Sequence, residues 1–171
     1  MVYHSKFTDD QGKTVCGCLM LPLKTSVRGP APPADPAVED IIDEVLFTFK
    51  SNILFRNFDI QGNADRTLIY LTLYITKCLQ TIEKVADPEE AKKKLQTLAW
   101  SECSAPGDSN FPLGGMFEAA KGSDADVFRA YFKQAKEELG RRLIEKCYVE
   151  GKPNKFWLCF SKRKFLNKNF A

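Results

Sequence analysis

The chain has 171 residues, of which 44% are hydrophobic and 27% are charged, and its formal net charge at pH 7 is +3. This composition is ordinary for a soluble globular protein that buries about two-thirds of its unfolded surface. A net charge of +3 is modest for this length. The overall charge therefore argues neither for nor against a nucleic-acid partner. We expect one domain over residues 1–171. The N-terminus lacks an apolar run and a cleavage site, so no secretory signal is expected.

Six cysteines are spread irregularly along the chain, at Cys16, Cys18, Cys78, Cys103, Cys147 and Cys159. We expect free thiols in a reducing compartment, the cytoplasm, rather than three disulfides. Cys16 and Cys18 are spaced like half of a metal site. However, a tetrahedral zinc site needs four nitrogen or sulfur ligands, and the single histidine, His4, has no suitable spacing. Neither a metal nor a cofactor is expected.

Residues 1–34 show little helical periodicity and are predicted to form an extended or hairpin-like arm on a helical body, residues 35–171. Two short apolar runs, 3–7 and 15–23, are expected to pair as a small hairpin. Prolines crowd the segment 29–33, where each one removes a backbone donor and disfavours helix before it. The arm is therefore expected to lie over the body in an extended form.

The first helix of the body is predicted to begin with Asp35 as its N-cap and Pro36 as its first residue. Apolar residues then recur at helical spacing until the pattern ends near Asn52. A short aromatic connector, residues 55–60, follows. It leads to Asn63, which is the expected N-cap of the next helix.

The segment 64–85 is the most informative part of the chain. On a helix its apolar side chains point in every direction; they are Leu68, Ile69, Tyr70, Leu71, Leu73, Tyr74 and Ile75. Such a helix is buried on all sides or spans a membrane, but the apolar run is far shorter than the roughly 20 residues that a bilayer requires. We therefore expect an all-α fold of about five helices, with helix 64–85 surrounded by the others.

Later helices have clear start signals. Asp87 and Pro88 are the expected N-cap and first residue of a third helix that runs to about Trp100. A fourth helix is expected to open at Ser123 and to carry a long apolar stripe. The loop between them, residues 101–122, is long for a compact domain and is therefore a candidate contact surface.

The segment 152–168 carries six basic residues and no acid. A fifth helix is expected over residues 155–165, capped by Asn154, with aromatic side chains on one side and basic ones mainly elsewhere. This pattern fits an amphipathic helix docked on the core. It also fits a basic face that attracts an acidic partner, and that partner could be a protein, nucleic acid or an anionic membrane.

Motifs typical of enzymes are incomplete. Residues 12–14 resemble the end of a phosphate-binding loop, but the first glycine is missing and no helix follows. Ser109 lies in a partial nucleophile-elbow pattern in which Phe111 replaces the closing glycine. A nucleophile normally needs a base, and His4 lies in the terminal arm. We expect no catalytic residues and no enzyme.

The stretch 64–75 and a series of shorter co-linear motifs carry a family resemblance. The shorter motifs are residues 3–5, 21–23, 29–32, 40–44, 55–60, 106–107, 111–113, 155–157, 162–163 and 167–168. Together they resemble subunit 3, the small helical subunit, of the actin-related protein 2/3 complex. Residues 86–105 show little likeness, and Phe156 with Trp157 stands where the family commonly has two tryptophans.

The resemblance implies an all-α fold of about five helices and a place in a seven-subunit assembly that nucleates actin filaments as branches. It implies a non-catalytic structural subunit that packs on actin-related protein 3 and helps contact the mother filament. A cytoplasmic, cytoskeletal location in actin-rich cell projections follows, without nucleic acid and without membrane insertion. The alternative is a stand-alone basic helical module that binds nucleic acid or an anionic membrane.

The resemblance does not supply a list of contact residues, so those that we expect are our own inference. They are Gly29, Pro30, Pro32, Arg56, Phe111, Pro112, Lys162, Arg163 and Lys164. Actin is acidic, which suits a basic face, although one exposed ion pair contributes under about 1 kcal/mol.

Overall fold

The structure is a computed structural model that describes residues 1–101 and 103–170. Within these residues lie five α-helices: α1 (Ile41–Asn52), α2 (Asn63–Ile82), α3 (Pro88–Trp100), α4 (Asp124–Cys147) and α5 (Lys155–Leu158). Two short antiparallel sheets accompany them. Strand β1 (Lys13–Val15) pairs with β2 (Cys18–Met20), and β3 (Tyr148–Val149) pairs with β4 (Lys152–Pro153). The five helices agree with the predicted helix-rich fold, and the two small sheets show that the fold is not purely α-helical.

Both hairpins are closed by two-residue turns with positive φ. Cys16 and Gly17 have φ of 56° and 74°, and Glu150 and Gly151 have φ of 52° and 75°. Two successive residues with positive φ give a turn whose twist matches that of paired strands. A hairpin was expected in the arm, but its strands lie at residues 13–20 and do not include residues 3–7.

Helix α2 runs through the middle of the molecule and packs against α1, α3, α4 and β2. The seven apolar side chains of residues 68–75 named above are at most 1% exposed. The helix begins one residue earlier than expected, with Gly62 as its N-cap, and ends at Ile82. One hydrophobic core forms around it and includes apolar residues of the arm, such as Leu19, Leu21 and Leu23.

Helix α1 begins at Ile41, later than the predicted start at Asp35 and Pro36. Its N-cap is Asp40, whose carboxylate accepts the Asp43 N–H at 3.0 Å while the Asp43 carboxylate accepts the Asp40 N–H at 3.2 Å. This reciprocal pair satisfies two backbone donors at the helix end. The Asp35 side chain instead accepts the Ala37 N–H at 2.9 Å in a separate turn.

The predicted start of α3 is confirmed. Asp87 is the N-cap, its carboxylate accepts the Glu89 N–H at 3.1 Å, and Pro88 is the first helical residue. Helix α4 begins after Ser123 as expected and runs without interruption through Gly140. A Cβ at residue 140 would lie 3.4 Å from the Leu95 Cβ, an ordinary contact distance, so α3 and α4 are close together at this position.

The C-terminal segment departs from the predicted fifth helix. Asn154 caps α5 as expected, because its side chain accepts the Phe156 N–H at 3.1 Å. The α-helix ends at Leu158, however, and continues as a 3₁₀-helix (Cys159–Lys162) before the backbone becomes extended at Arg163. This break turns the chain so that Phe165 becomes fully buried. No described helix is long and apolar enough to cross a bilayer.

Candidate protein-interaction surface

The first residues of the chain form a strap, residues 3–6, that side chains of α1 and α2 hold in place. Asn52 accepts the Tyr3 N–H at 2.8 Å and donates to the Tyr3 carbonyl at 3.0 Å. Asp65 accepts the Ser5 N–H at 2.7 Å. Both side chains are buried, and a buried polar group without a partner is costly. The strap is therefore an integral part of the helical body.

The strap places Tyr3 beside Phe47 on the outer side of α1. Their ring centroids lie 6.4 Å apart with an interplanar angle of 76°. Tyr3 is 50% exposed and Phe47 is 81% exposed, whereas Phe49, two residues further along, is fully buried. An edge-to-face aromatic pair that faces solvent is a typical anchor for a protein partner.

Lys50 extends this surface toward the C-terminal segment, one helical turn beyond Phe47. Its Nζ lies 4.7 Å from the ring centroid of Trp157 and 5.9 Å from that of Phe160. Below it, Phe49 stacks on Trp157 with centroids 5.7 Å apart and planes 11° apart. Cation–π contact and ring stacking therefore fix the C-terminal segment against α1.

A second aromatic contact joins the connector after α1 to the C-terminal segment. Phe58 and Phe165 are both buried, and their rings meet edge to face with centroids 6.5 Å apart. Arg56 precedes this contact by two residues and Lys164 by one, and both are exposed. The contact thus brings Arg56 and the basic residues 162–164 into one region of the surface.

We call the surface that these contacts assemble the aromatic–basic face. It comprises Tyr3, Phe47, Lys50, Arg56, Lys162, Arg163 and Lys164. Four of the expected contact residues belong to it. The signal for Phe47 was readable from the sequence, because it is a phenylalanine outside the buried stripe of its helix. Tyr3 carried no such signal, because its position depends on the distant side chain of Asn52.

The expected contact residues of the arm lie elsewhere, against α4. Gln134 accepts the Ala31 N–H and donates to the Val27 carbonyl, both at 2.9 Å. A Cβ at Gly29 would lie 2.4 Å from the Gln134 Oε1, so only glycine fits there. The arm is therefore docked, while Pro30 and Pro32 remain exposed.

Phe111 and Pro112 form a third group, in the loop that follows α3. The Phe111 side chain is buried and stacks on Tyr70 with centroids 6.1 Å apart. It supports the loop from inside the core and does not contribute to the surface. Pro112 is half-buried. The nine expected contact residues thus divide among three places.

The described residues provide few groups that are arranged for catalysis or for metal binding. All six cysteines are free thiols. Among residues 1–101 and 103–170, no cluster of three or more His, Cys, Asp or Glu side chains is placed to hold a metal ion. His4 Nδ1 lies 2.8 Å from an Asp65 carboxylate oxygen, in a contact that helps to hold the strap.

The fold is a helical scaffold with an exposed aromatic–basic face, and comparison with known proteins identifies its family. The family model described as P21-Arc, ARP2/3 complex ARPC3 (21 kDa) subunit, matches residues 1–170. The chain is 53% identical over 173 residues to actin-related protein 2/3 complex subunit 3 of Dictyostelium discoideum, with 98% of this chain and 99% of the relative covered.

The chain is 44% identical to the protein of the same name from Arabidopsis thaliana, with 98% of each chain covered. It is also 44% identical to the one from Schizosaccharomyces pombe, with 97% of each chain covered. The chain belongs to the ARPC3 subunit family. This confirms the resemblance inferred from the sequence. The family is one of non-catalytic structural subunits, in agreement with the expectation that the chain is not an enzyme.

Proposed function

We propose that the chain is a non-catalytic structural subunit of an actin-related protein 2/3 complex. In this role it packs on actin-related protein 3 and helps to contact the mother filament, which supports filament nucleation and branching. The observation that carries the proposal is the family match over residues 1–170. The same role places the protein in the cytoplasmic actin cytoskeleton.

The aromatic pair of Tyr3 and Phe47 supports a packing role. Large aromatic side chains are over-represented among the residues that dominate binding energy at protein interfaces. Here the pair is held ready by the strap, since Asn52 fixes the backbone of Tyr3 at both its N–H and its carbonyl. A side chain positioned before binding loses less conformational entropy on association.

The basic residues of the face support contact with an acidic partner such as actin. Lys162, Arg163 and Lys164 are consecutive and exposed, and Arg56 lies in the same region. Clustered charge of one sign steers association and sets partner preference more than it sets affinity. We therefore expect the contribution of these residues to weaken as ionic strength rises.

A protein partner fits this surface better than nucleic acid does. Binding of single-stranded nucleic acid relies on exposed aromatic faces that stack on bases. In the C-terminal segment Trp157 and Phe165 are buried, and Lys50 lies over the Trp157 ring. These two rings are committed to the core and cannot stack on bases, so this segment offers a nucleic-acid site only the exposed Phe156 ring and the half-buried Phe160 ring.

Isolation of the protein from its source cells tests the proposal. The tagged full-length chain is recovered and its partners are quantified by mass spectrometry after size-exclusion chromatography. We expect equimolar recovery with two actin-related proteins in one large assembly. Elution as a small monomer that binds RNA with a steep salt dependence would overturn the proposal in favour of the basic-module alternative.

Charge reversal tests the basic residues separately. The triple variant Lys162→Glu, Arg163→Glu, Lys164→Glu is expected to reduce assembly or branching. Its matched control reverses three consecutive exposed lysines on α3, Lys92, Lys93 and Lys94. The control should assemble and branch as the unchanged protein does, and circular dichroism should show the same helicity for both variants. Loss of helicity in the first variant, or equal effects in both, would contradict a contact role for residues 162–164.

A further inference from the structure

A buried lysine and a half-buried cysteine meet beside the central helix. The Lys136 side chain on α4 is buried, and its Nζ donates to the Cys103 Sγ at 3.2 Å. The same sulfur lies 3.3 Å from the hydroxyl oxygen of Tyr70 on α2. Nitrogen and sulfur are therefore at the distance from which a covalent bond between them forms with only a small movement.

Aromatic rings surround the remaining sides of the Lys136 amine. Its Nζ lies 5.4 Å from the ring centroid of Tyr70, 5.3 Å from that of Tyr74 and 4.8 Å from that of Phe170. Burial lowers the pKa of Lys136 below its ordinary value, although the neighbouring Cys103 opposes the shift. A lowered lysine pKa increases the fraction of neutral amine, which is the nucleophilic form.

Cys103 differs from the buried cysteines of the core. Cys18, Cys78 and Cys147 are enclosed, and burial raises the pKa of each thiol to about 12, which keeps them in the unreactive protonated form. Cys103 is only half-buried, so it is more accessible to a small oxidant than those three enclosed cysteines. Arg129 donates to the Cys103 carbonyl at 2.9 Å and fixes the backbone that carries the sulfur.

We propose that Cys103 and Lys136 form a peroxide-responsive site in which the two side chains become joined by a sulfur–nitrogen bond. In the first step, the Cys103 sulfur attacks hydrogen peroxide. An S–O bond forms, the O–O bond breaks, and the leaving hydroxide takes the thiol proton to give water and a sulfenic acid. The sulfur is oxidised by two electrons and the peroxide is reduced by two.

In the second step the neutral Lys136 amine attacks the sulfenic sulfur. An S–N bond forms and the S–O bond breaks, and hydroxide leaves with one proton from the amine as a second water. The product is a sulfenamide, the species that sulfenic acids form with nitrogen nucleophiles. It links the loop after α3 to the middle of α4 across 33 positions of the chain. Thiols reverse it, because they attack the sulfur and release the amine.

Mass spectrometry of the full-length chain tests this site. The purified protein is treated with hydrogen peroxide, free thiols are blocked, and the chain is digested with trypsin. We expect a product that has lost two hydrogens, about 2 Da, and a linked pair of peptides that contains residues 103 and 136. Trypsin should fail to cut after Lys136, and dithiothreitol should restore both the cut and the mass. Cys103 found unmodified, or only as sulfinic or sulfonic acid, overturns the proposal.

Two variants distinguish this bond from general oxidation. Cys159→Ser removes an exposed cysteine and should leave the linked peptides unchanged. Lys136→Met keeps an unbranched side chain among the rings and should abolish the link, while the sulfenic acid at Cys103 becomes available for trapping by dimedone. A link that persists in Lys136→Met would contradict the assignment. The peptide map of the unchanged chain decides the matter even if this variant fails to fold.

Discussion

Arg142 on α4 binds both carboxylate oxygens of Asp40, the N-cap of α1, at 2.7 and 2.9 Å. The same guanidinium donates to the carbonyl of Lys24 at 2.6 Å. One side chain therefore joins the arm, α1 and α4. The ion pair is largely shielded from water, since the two side chains are 17% and 1% exposed.

Substitution of Arg142 by methionine should destabilise the fold strongly. The change leaves the buried Asp40 carboxylate without its main partner, and breaking a buried pair in this way costs about 3–5 kcal/mol. Urea denaturation followed by circular dichroism measures the loss. The matched control is Arg141→Met, where an exposed arginine has one bond to Ser26 at 3.1 Å. The control should change the free energy of unfolding by less than about 0.5 kcal/mol, and similar losses in both variants would contradict the role assigned to Arg142.

The stability of the protein should fall in acid because of Asp43. Partial burial by itself raises the pKa of Asp43, but hydrogen bonds from the Lys24 side chain and the Asp40 backbone, with the charge of Arg142, hold it below its ordinary value of 3.8. A carboxyl group whose pKa is lower in the folded state stabilises that state above its unfolded pKa, and this contribution disappears as pH falls through the folded pKa.

Urea denaturation at a series of pH values below about 5 measures this dependence. The Asp43→Asn variant lacks the titrating group, so its free energy of unfolding should fall less steeply over the same range. If the curves of the two proteins run parallel, Asp43 does not contribute to the acid sensitivity.

Gly140 offers a paired test of the contact between α3 and α4. An alanine there places its Cβ 3.4 Å from the Leu95 Cβ, which the site accommodates. Gly140→Ala should therefore stabilise the protein by up to about 1 kcal/mol through helix propensity. Gly140→Leu should destabilise it by about 1–3 kcal/mol, because a longer side chain forces the helices apart. Thermal melting of both variants checks the sign, and a stabilising leucine would show that the helices are not in close contact.

Substitutions of Phe47 and of Phe49 distinguish an effect on assembly from an effect on the stability of the fold. Phe47→Ser removes an exposed ring and should change the free energy of unfolding by less than about 0.5 kcal/mol. It should nevertheless weaken association with the partner by about 2 kcal/mol if Phe47 anchors the interface. Phe49→Ser removes a buried ring and should destabilise the fold by about 3–5 kcal/mol. Melting temperatures and the fraction recovered in the assembled complex test both, and normal recovery of Phe47→Ser would exclude the aromatic pair as an anchor.

Local signals in the sequence were sufficient where the determining residues are neighbours. The start of α3 follows from Asp87 and Pro88, and the start of α5 follows from Asn154, because each cap bonds to a backbone group two residues away. The start of α1 was misplaced because Asp35 and Asp40 carry similar local signals. What favours Asp40 is Arg142, which lies 102 positions further along the chain.

The candidate surface, too, could be predicted only where residues close in the sequence determine whether a side chain is exposed. The basic residues 162–164 were expected at the surface and are exposed there. The burial of Phe111 was not foreseen, because its neighbours in the sequence are polar or turn-forming. Its ring is removed from solvent by packing against Tyr70, Phe117 and Phe128. Lys136 is the extreme case. A lysine is expected in water, but α2, the loop after α3 and the Phe170 ring together enclose this one.

The strap connects the surface to the order in which the chain completes its structure. Its hydrogen-bond partners Asn52, Asp65 and Glu44 lie 49, 60 and 38 positions away from the strap residues that they hold. Contacts across such separations close only after the intervening helices have formed, since loop closure costs entropy. Tyr3 therefore reaches Phe47 only in the finished molecule. A partner that recognises this pair would discriminate against immature chains, so that incorporation itself acts as quality control.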